Sequence, residues 1–261
     1  MTRETTIPPT AEDIGMGILE HLNELRIRVM WAMGGLLIGT VIAFFFTERL
    51  FDYLVTGCNF PAIIVNPEAL KAACGDIITI TPTESLENFF RVAFTAGAII
   101  AMPWMLIQLW KFIAPALHKH EKRYAYIFVP ASFLLFLTGV WFAWALLLPP
   151  ALVFLKTFLS DTVNISWTLD NYINFVTSFL FWLGVAFEMP LIFYFLARFG
   201  LVSPALLKDG WRFAVVGIAI LAAVITPSID PITMLLAMVP LSLLYIASIL
   251  LTMIGYRQFM K

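Results

Sequence analysis

The sequence predicts an all-α, polytopic membrane protein with six transmembrane helices in a concave bundle. Three observations support this fold class: the composition, six long apolar stretches, and a one-sided distribution of basic residues. The chain has 261 residues, of which 61% are hydrophobic and only 13% are charged, whereas soluble domains are about half apolar and a quarter charged. A soluble chain of this length could not bury so much apolar surface, so lipid must surround most of it.

Each apolar stretch has, or nearly has, the roughly 20 residues that a helix needs to cross about 30 Å of hydrocarbon. The patterns are helical or uniformly apolar, which argues against a β-barrel. The fifth stretch is the shortest and should form a low wall of the bundle. We assign residues 1–20 to a cytoplasmic tail and residues 21–261 to one transmembrane domain. The spans are predicted at about 29–46, 89–110, 124–148, 172–197, 213–226 and 232–256.

The connecting segments predict the orientation. If the N-terminus is cytoplasmic, the inner segments hold twelve of the 16 Lys and Arg residues, as the positive-inside rule requires. Both termini are therefore expected in the cytoplasm. The N-terminal region has no apolar stretch typical of a cleaved signal peptide. The net charge of -1 argues against a nucleic-acid partner.

The outer loops carry two local signals. The segment Thr81–Glu84 has the pattern of a capping box and should begin the second span near Pro82. Cys58 and Cys74 both fall in the first outer loop. In an oxidising compartment they could form a disulfide, and the alternative is two unrelated thiols.

Three acidic residues are candidates for function. Glu188 lies within the fourth span, where a charge costs about 2.5–3.5 kcal/mol. It is therefore either protonated, or it faces a wet cavity or a polar group of this chain or of a partner helix. Glu121 is an acid in an otherwise basic loop, and by itself it could be a solvated surface residue. Glu24 precedes the first span, four residues before Arg28 on a helix, and could equally belong to an interfacial amphipathic turn.

Signals for catalysis are weak. The sequence has no zinc-protease, nucleophile-elbow or Walker motif, and His118 and His120 would not share a helix face. We therefore predict no enzyme activity, no metal site and no cofactor.

Several motifs, in order from His21 to the last span, resemble one known family. They are His21-Leu22-Asn23-Glu24-Leu25-Arg26, Trp110–Leu117 followed by Glu121-Lys122-Arg123, Phe187-Glu188-Met189-Pro190, and Thr226-Pro227 with Asp230-Pro231. Together they resemble TatC, the receptor subunit of the twin-arginine protein translocase.

The resemblance implies a function at the cytoplasmic membrane of a bacterial or archaeal cell. TatC-like proteins bind signal peptides with consecutive arginines and, with single-span partners of the TatA and TatB type, export folded proteins using the proton-motive force. It also implies a homo-oligomer in contact with lipid. The expected signal-peptide residues are Glu24, Glu121, Arg26, Leu25, Phe112 and His21, and the expected intramembrane partner or cavity residues are Glu188 and Asp230.

Two other function classes stay open from the residues alone. A secondary transporter for a small solute would need a substrate-sized cavity enclosed at mid-membrane. A membrane scaffold without an export role would not depend on Glu121. Binding of a twin-arginine precursor distinguishes these three possibilities.

Overall fold

The computed structural model describes residues 11–56, 59–61, 63–75, 77–113, 125–158, 166–226 and 231–259. These parts of the chain form ten α-helices, one π-helical turn and two short parallel strands. The strands are β1 (Ile77–Ile78) and β2 (Trp167–Thr168). The helices are α1 (Ala11–Val55), α2 (Pro67–Cys74), α3 (Glu84–Ile113), α4 (Ala125–Phe142), α5 (Leu148–Thr157), α6 (Leu169–Phe187), α7 (Met189–Arg198), α8 (Pro204–Asp209), α9 (Trp211–Ile225) and α10 (Pro231–Phe259).

Six apolar helical stretches overlap the six predicted spans, and the all-α polytopic fold is confirmed. Five of them are long enough to cross a membrane, and α9, with 15 residues, is the short one, covering about 22 Å. Residues 11–20 are helical as part of α1, and the assignment of residues 1–20 to a cytoplasmic tail stays a prediction. The long stretches are Glu20–Val55, Glu84–Phe112, Phe128–Thr157, Leu169–Arg198 and Pro231–Arg257.

The first two spans, α1 and α3, pack closely along each other. A Cβ atom added to Gly39 would lie 2.5 Å from the carbonyl oxygen of Gly97, so only glycine permits this approach. Such small residues are typical of helix crossings in membranes. Nearer the cytoplasmic end, the indole nitrogen of Trp104 donates a 2.9 Å hydrogen bond to the carbonyl of Trp31. The opposite face of α1 is apolar and exposed.

The third and fourth spans are each built from two helices. A π-helical turn, Ala143–Leu147, joins α4 to α5. Glu188 ends α6 and begins α7, and Pro190 follows it in the first turn of α7. Where α4 and α6 cross, Gly184 leaves space for the ring of Phe136, because an added Cβ would lie 2.7 Å from that ring.

The sixth span packs against the cytoplasmic half of the fourth. Helix α10 contacts α7 and α9, and a Cβ added to Gly255 would lie 2.5 Å from the carbonyl oxygen of Tyr194. The hydroxyl of Tyr245 donates a 2.5 Å hydrogen bond to the carbonyl of Leu207 in α8. Helix α8, which lies in the connection before the short fifth span, is thereby hydrogen-bonded to the sixth span.

The outer ends of the spans are covered by a small cap, in which α2 packs against α5. The indole nitrogen of Trp167 donates to the carbonyl of Ala73, at 2.9 Å, and the hydroxyl of Tyr172 donates to the carbonyl of Leu54, at 2.8 Å. Cys74 is buried at the end of α2 and is disulfide-bonded. Cys58 lies outside the described residues, so the pairing of these two cysteines stays a prediction.

A polar network fixes the outer end of α3. The helix begins at Glu84 rather than near Pro82, but the carboxylate of Glu84 accepts from the backbone N–H of Thr81, at 3.3 Å, which is one half of the predicted capping box. Its other oxygen accepts from the backbone N–H of Asp170, at 2.9 Å. Arg91 forms an ion pair with Asp170, at 2.7 Å. Helices α3 and α6 are therefore tied together at this end.

Candidate functional site

The predicted cytoplasmic part of α1 carries the segment His21–Arg26 within a continuous helix. Glu24 and Arg28 lie four residues apart on one face, and Nη2 of Arg28 is 3.2 Å from Oε1 of Glu24. Both side chains are partly exposed, at 27% for Glu24 and 29% for Arg28. Among the described residues, nothing bonds to the second carboxylate oxygen of Glu24. The pairing expected from the helical spacing is present, and it leaves this oxygen free to accept.

An aromatic contact joins this segment to the end of α3. The rings of His21 and Phe112 stack with their centroids 4.6 Å apart. Arg26, two residues after Glu24 on α1, is exposed. The structure therefore brings five of the six predicted peptide-binding residues to the facing ends of α1 and α3.

An open pocket lies between these two helix ends, and we call it the α1–α3 pocket. Its volume is about 270 Å³. Leu25 of α1 and Phe112 of α3 are its lining residues nearest the cytoplasmic end, and Arg28 also lines it. The pocket lies between the contact of His21 with Phe112 and the close approach of α1 and α3 at Gly39 and Gly97. Its apolar walls are Val29, Ala32, Met102, Met105, Leu106 and Leu109.

Two buried polar atoms belong to residues that line the α1–α3 pocket. Gln108 is 3% exposed, and its Oε1 has no hydrogen-bond partner among the described residues. The Nε of Arg28 is also buried and has no hydrogen-bond partner among the described residues. Buried polar atoms without partners are rare in folded proteins, and neither of these two atoms is exposed in the pocket.

Two predicted site residues, Glu121 and Asp230, lie outside the described residues. Helix α3 ends at Ile113, one residue after Phe112. In the sequence, Glu121 follows Phe112 by nine residues.

Glu188 lies apart from this site, at the break between α6 and α7. It is 4% exposed, and its Oε2 accepts a hydrogen bond from the hydroxyl of Ser132 on α4. Its Oε1 has no partner among the described residues. The carboxyl group therefore lies between helices, and one of its oxygens can still accept.

Sequence reasoning missed two residues at these places. Gln108 is the one Gln or Asn in the predicted second span, residues 89–110. This position in an apolar stretch is the only feature of the sequence that points to it. Nothing in the sequence points to Ser132, because a serine in a transmembrane helix commonly donates to a backbone carbonyl of the same helix.

Comparison with known proteins assigns the family. Residues 20–240 match the family model of the Sec-independent protein translocase protein (TatC). The chain belongs to the TatC family. It is 36% identical to the Sec-independent protein translocase protein TatC of Deinococcus radiodurans over 250 residues, which cover 95% of this chain and 90% of the relative. The corresponding protein of Aquifex aeolicus is 37% identical over 247 residues, covering 93% and 97%.

Solved structures agree with this assignment. A crystal structure of the twin-arginine translocase receptor TatC matches with a TM-score of 0.77 and 34% identity, covering 90% of this chain and 99% of that one. A second crystal structure of this receptor, in DDM, matches with a TM-score of 0.76 and 37% identity. The resemblance seen in the sequence motifs is confirmed, and the chain is a multi-pass TatC protein of the cytoplasmic membrane.

Proposed function

We propose that this TatC protein is the receptor subunit of a twin-arginine translocase. It binds signal peptides with consecutive arginines at the cytoplasmic face and organises the export of folded proteins, driven by the proton-motive force. It needs no cofactor and carries out no catalytic step. The observation that supports this most directly is the partly exposed carboxylate of Glu24, held by Arg28 beside the α1–α3 pocket.

The chemistry of arginine recognition fits this geometry. A guanidinium group donates parallel hydrogen bonds that match the two oxygens of a carboxylate. Arg28 contacts one oxygen of Glu24, so an arginine of the peptide can bond the other oxygen or replace Arg28. We assign the second arginine to Glu121, on the strength of the family motif and the basic loop around it.

The neighbouring residues have supporting roles in this proposal. His21 and Phe112 hold the ends of α1 and α3 together through their ring contact. Leu25 offers an apolar surface to the peptide, and Arg26 keeps the helix at the level of the lipid headgroups.

A binding experiment tests the proposal against the transporter and scaffold alternatives. The detergent-solubilised protein is incubated with a precursor bearing a twin-arginine signal peptide and with the same precursor carrying two lysines. Lysine keeps the charge but loses the forked geometry, so we expect co-purification of the arginine precursor only. Equal retention of both precursors, or of neither, contradicts the proposal.

We further propose that single-span subunits of the TatA and TatB type dock at the intramembrane residues Glu188 and Asp230, and that copies of the chain assemble within the complex. The acceptor left on Glu188 and the short helix α9 support this. A short span leaves a low wall, over which a polar residue of a partner helix can reach the carboxyl group. Such intramembrane bonds contribute about 1 kcal/mol, which suits reversible docking.

A further inference from the structure

We propose that the outer ends of α3 and α6 hold the headgroup of a phospholipid with a primary amine, of the phosphatidylethanolamine type. In this site Arg91 binds the phosphate and Asp170 binds the ammonium group. The site is a groove between the two helices, which we call the α3–α6 groove. The residues that line it include Arg91, Phe94, Asn174, Ser178, Phe181 and Trp182. This lipid site goes beyond the receptor function and does not depend on it.

Arg91 has hydrogen-bond donors left for a phosphate group. Its Nη1 donates to Oδ1 of Asp170, at 2.7 Å, and to Oδ1 of Asn88, at 2.9 Å. Because Asn88 is fully buried, the guanidinium group is held from two sides. Its Nη2 and Nε donate to no described residue, and the side chain is 35% exposed. A guanidinium group binds phosphate oxygens through paired N–H groups, which Nη2 and Nε can supply.

Asp170 offers the complementary acceptor for an ammonium group. Its Oδ1 accepts from Arg91, its Oδ2 accepts from no described residue, and its side chain is 44% exposed. The carboxylate of Glu84 lies beside the pair and accepts from the backbone N–H of Asp170. Two carboxylates therefore surround one guanidinium group. This excess of negative charge disfavours a purely anionic headgroup and favours a zwitterionic headgroup that brings its own N–H donors.

The depth of the ion pair matches the headgroup layer. The span Glu84–Phe112 has 29 residues and covers about 43 Å, close to the thickness of a bilayer with its headgroups. Arg91 lies seven residues from the outer end of this span, about 10 Å along the helix. Its partner Asp170 is the second residue of α6, so the guanidinium group is directed toward the outer end. An arginine at this depth reaches the phosphate level in this way.

The walls of the groove fit a lipid rather than a soluble phosphate. Asn174 and Ser178 follow Asp170 at intervals of four residues, so the three share one face of α6. The carboxamide and the hydroxyl can donate to the ester oxygens of a lipid. Phe94 and Trp182 are exposed and offer aromatic surface to an acyl chain.

The size of the groove also suits a headgroup. Its volume is about 190 Å³, and a cavity of about 150 Å³ holds a benzene molecule. A phosphate group has fewer heavy atoms than benzene and therefore has room beside Arg91.

The test is native mass spectrometry of the purified full chain in detergent. The protein is incubated with equimolar phosphatidylethanolamine, phosphatidylcholine and phosphatidylglycerol that carry identical acyl chains. Arg91→Gln removes the phosphate donor, and Asp170→Asn removes the negative charge but keeps an acceptor for Arg91. The matched controls are Arg49→Gln and Asp52→Asn, which remove exposed charges from the outer end of α1.

We expect the wild-type protein to bind phosphatidylethanolamine roughly 10-fold more tightly than the other two lipids, the effect of one hydrogen bond between charged groups. Arg91→Gln should weaken this binding by a similar factor. Asp170→Asn should still bind lipid but should no longer prefer phosphatidylethanolamine to phosphatidylcholine, because a quaternary ammonium has no N–H donor. Both control variants should bind like the wild type.

A further variant changes the groove without touching the ion pair. Asn174→Leu removes the carboxamide from the wall, and we expect it to weaken phosphatidylethanolamine binding about 2- to 10-fold. It therefore tests the site even if Arg91→Gln does not fold. Soluble phosphoethanolamine at the same concentration as the lipid should not displace it, because it has no acyl chain to contact the aromatic wall.

Four results overturn the proposal. The first is equal binding of phosphatidylethanolamine and phosphatidylcholine to the wild type, and the second is a preference of the wild type for phosphatidylglycerol. The third is wild-type lipid binding in both Arg91→Gln and Asn174→Leu, or an equal loss in Arg49→Gln, which would indicate a general charge effect. The fourth is displacement of the lipid by soluble phosphoethanolamine, which would indicate a site for a soluble phosphate compound.

Discussion

Ser132 on α4 donates a hydrogen bond to the carboxyl group of Glu188, at the break between α6 and α7. A carboxyl group facing acyl chains is disfavoured, and here it is turned between the helices instead. The bond also connects the third span to the point where the fourth changes from one helix to the next. Because Oε1 has no partner among the described residues, Glu188 combines a structural contact with an acceptor that a partner can use.

The first prediction concerns docking at Glu188. Glu188→Gln keeps an acceptor and should largely preserve assembly with the single-span subunit, whereas Glu188→Leu should impair it and leave twin-arginine peptide binding intact. The measurement is disulfide crosslinking of cysteines placed in the fourth and fifth spans to a cysteine in the small subunit. If Glu188→Leu crosslinks and exports as well as the wild type, Glu188 is not a docking group.

The second prediction separates the structural contact from docking. Ser132→Ala removes the donor to Glu188 and leaves a buried carboxyl group without it, which costs about 1–3 kcal/mol. We expect a lower midpoint of thermal unfolding in detergent, with partner crosslinking retained. Thr138→Ala is a suitable control on the same helix, because its hydroxyl is exposed and bonds only the carbonyl of Leu134. Equal midpoints for the two variants would show that the Ser132 bond adds no stability.

The third prediction concerns the arginine readers. Glu121→Ala should abolish or greatly weaken site-specific crosslinking to a twin-arginine signal peptide, because a charge-assisted hydrogen bond contributes about 1.5–3 kcal/mol, or roughly 10- to 150-fold in affinity. Glu24→Ala should weaken it less, since Arg28 already occupies one oxygen of Glu24.

Glu20→Ala is the matched control for this experiment, because Glu20 is an exposed acid one turn before Glu24 on the same helix. It should crosslink like the wild type. Unchanged crosslinking in Glu121→Ala at equal protein level would rule out Glu121 as a reader.

The fourth prediction concerns the outer loop. If Cys58 and Cys74 are paired with each other, alkylation of unreduced membranes should label neither, and proteolysis should release one linked peptide that mass spectrometry detects. A bridge across 15 intervening residues contributes about 3 kcal/mol in the chain-entropy model, so reduction should also lower thermal stability. Two separately alkylated thiols would show that the bridge is absent.

The fifth prediction concerns the α1–α3 contact. Gly39→Leu places side-chain atoms against the backbone at Gly97, where an added Cβ would lie 2.5 Å from the carbonyl oxygen. Overpacking of this kind typically costs about 1–3 kcal/mol. Gly34→Leu adds the same volume to α1 in open space and should have little effect. Cysteine crosslinking between α1 and α3 compares the two variants, and equal crosslinking would show that the glycine contact does not hold the pair together.

The sequence predicted the spans because a long apolar stretch in lipid has few alternatives to a helix. It also predicted the Glu24–Arg28 pair, since four residues on a helix bring two side chains to the same face. Helix α3 begins two residues later than predicted, at Glu84, whose carboxylate accepts from the N–H of Thr81, just before α3, and from the N–H of Asp170 on the distant α6. Of these two hydrogen bonds, only the one from Asp170 depends on the tertiary fold.

The α1–α3 pocket could not be predicted in the same way. Its walls come from two helices, α1 and α3, and its shape depends on how these helices pack against each other. The cost of burying a charge predicts that Glu188 needs a polar neighbour. It does not predict that this neighbour is Ser132, which lies on a different span.

The close pairing of α1 with α3 also has a consequence for biogenesis. These are successive spans in the chain, and α1 makes almost all its helix contacts in the described structure with α3. Domains fold from the N-terminus during synthesis, so this hairpin can assemble once Ile113 has entered the bilayer. Every described residue of the peptide-reading face, from His21 to Phe112, lies on it. The nascent chain therefore acquires this face while the later four spans are still being made.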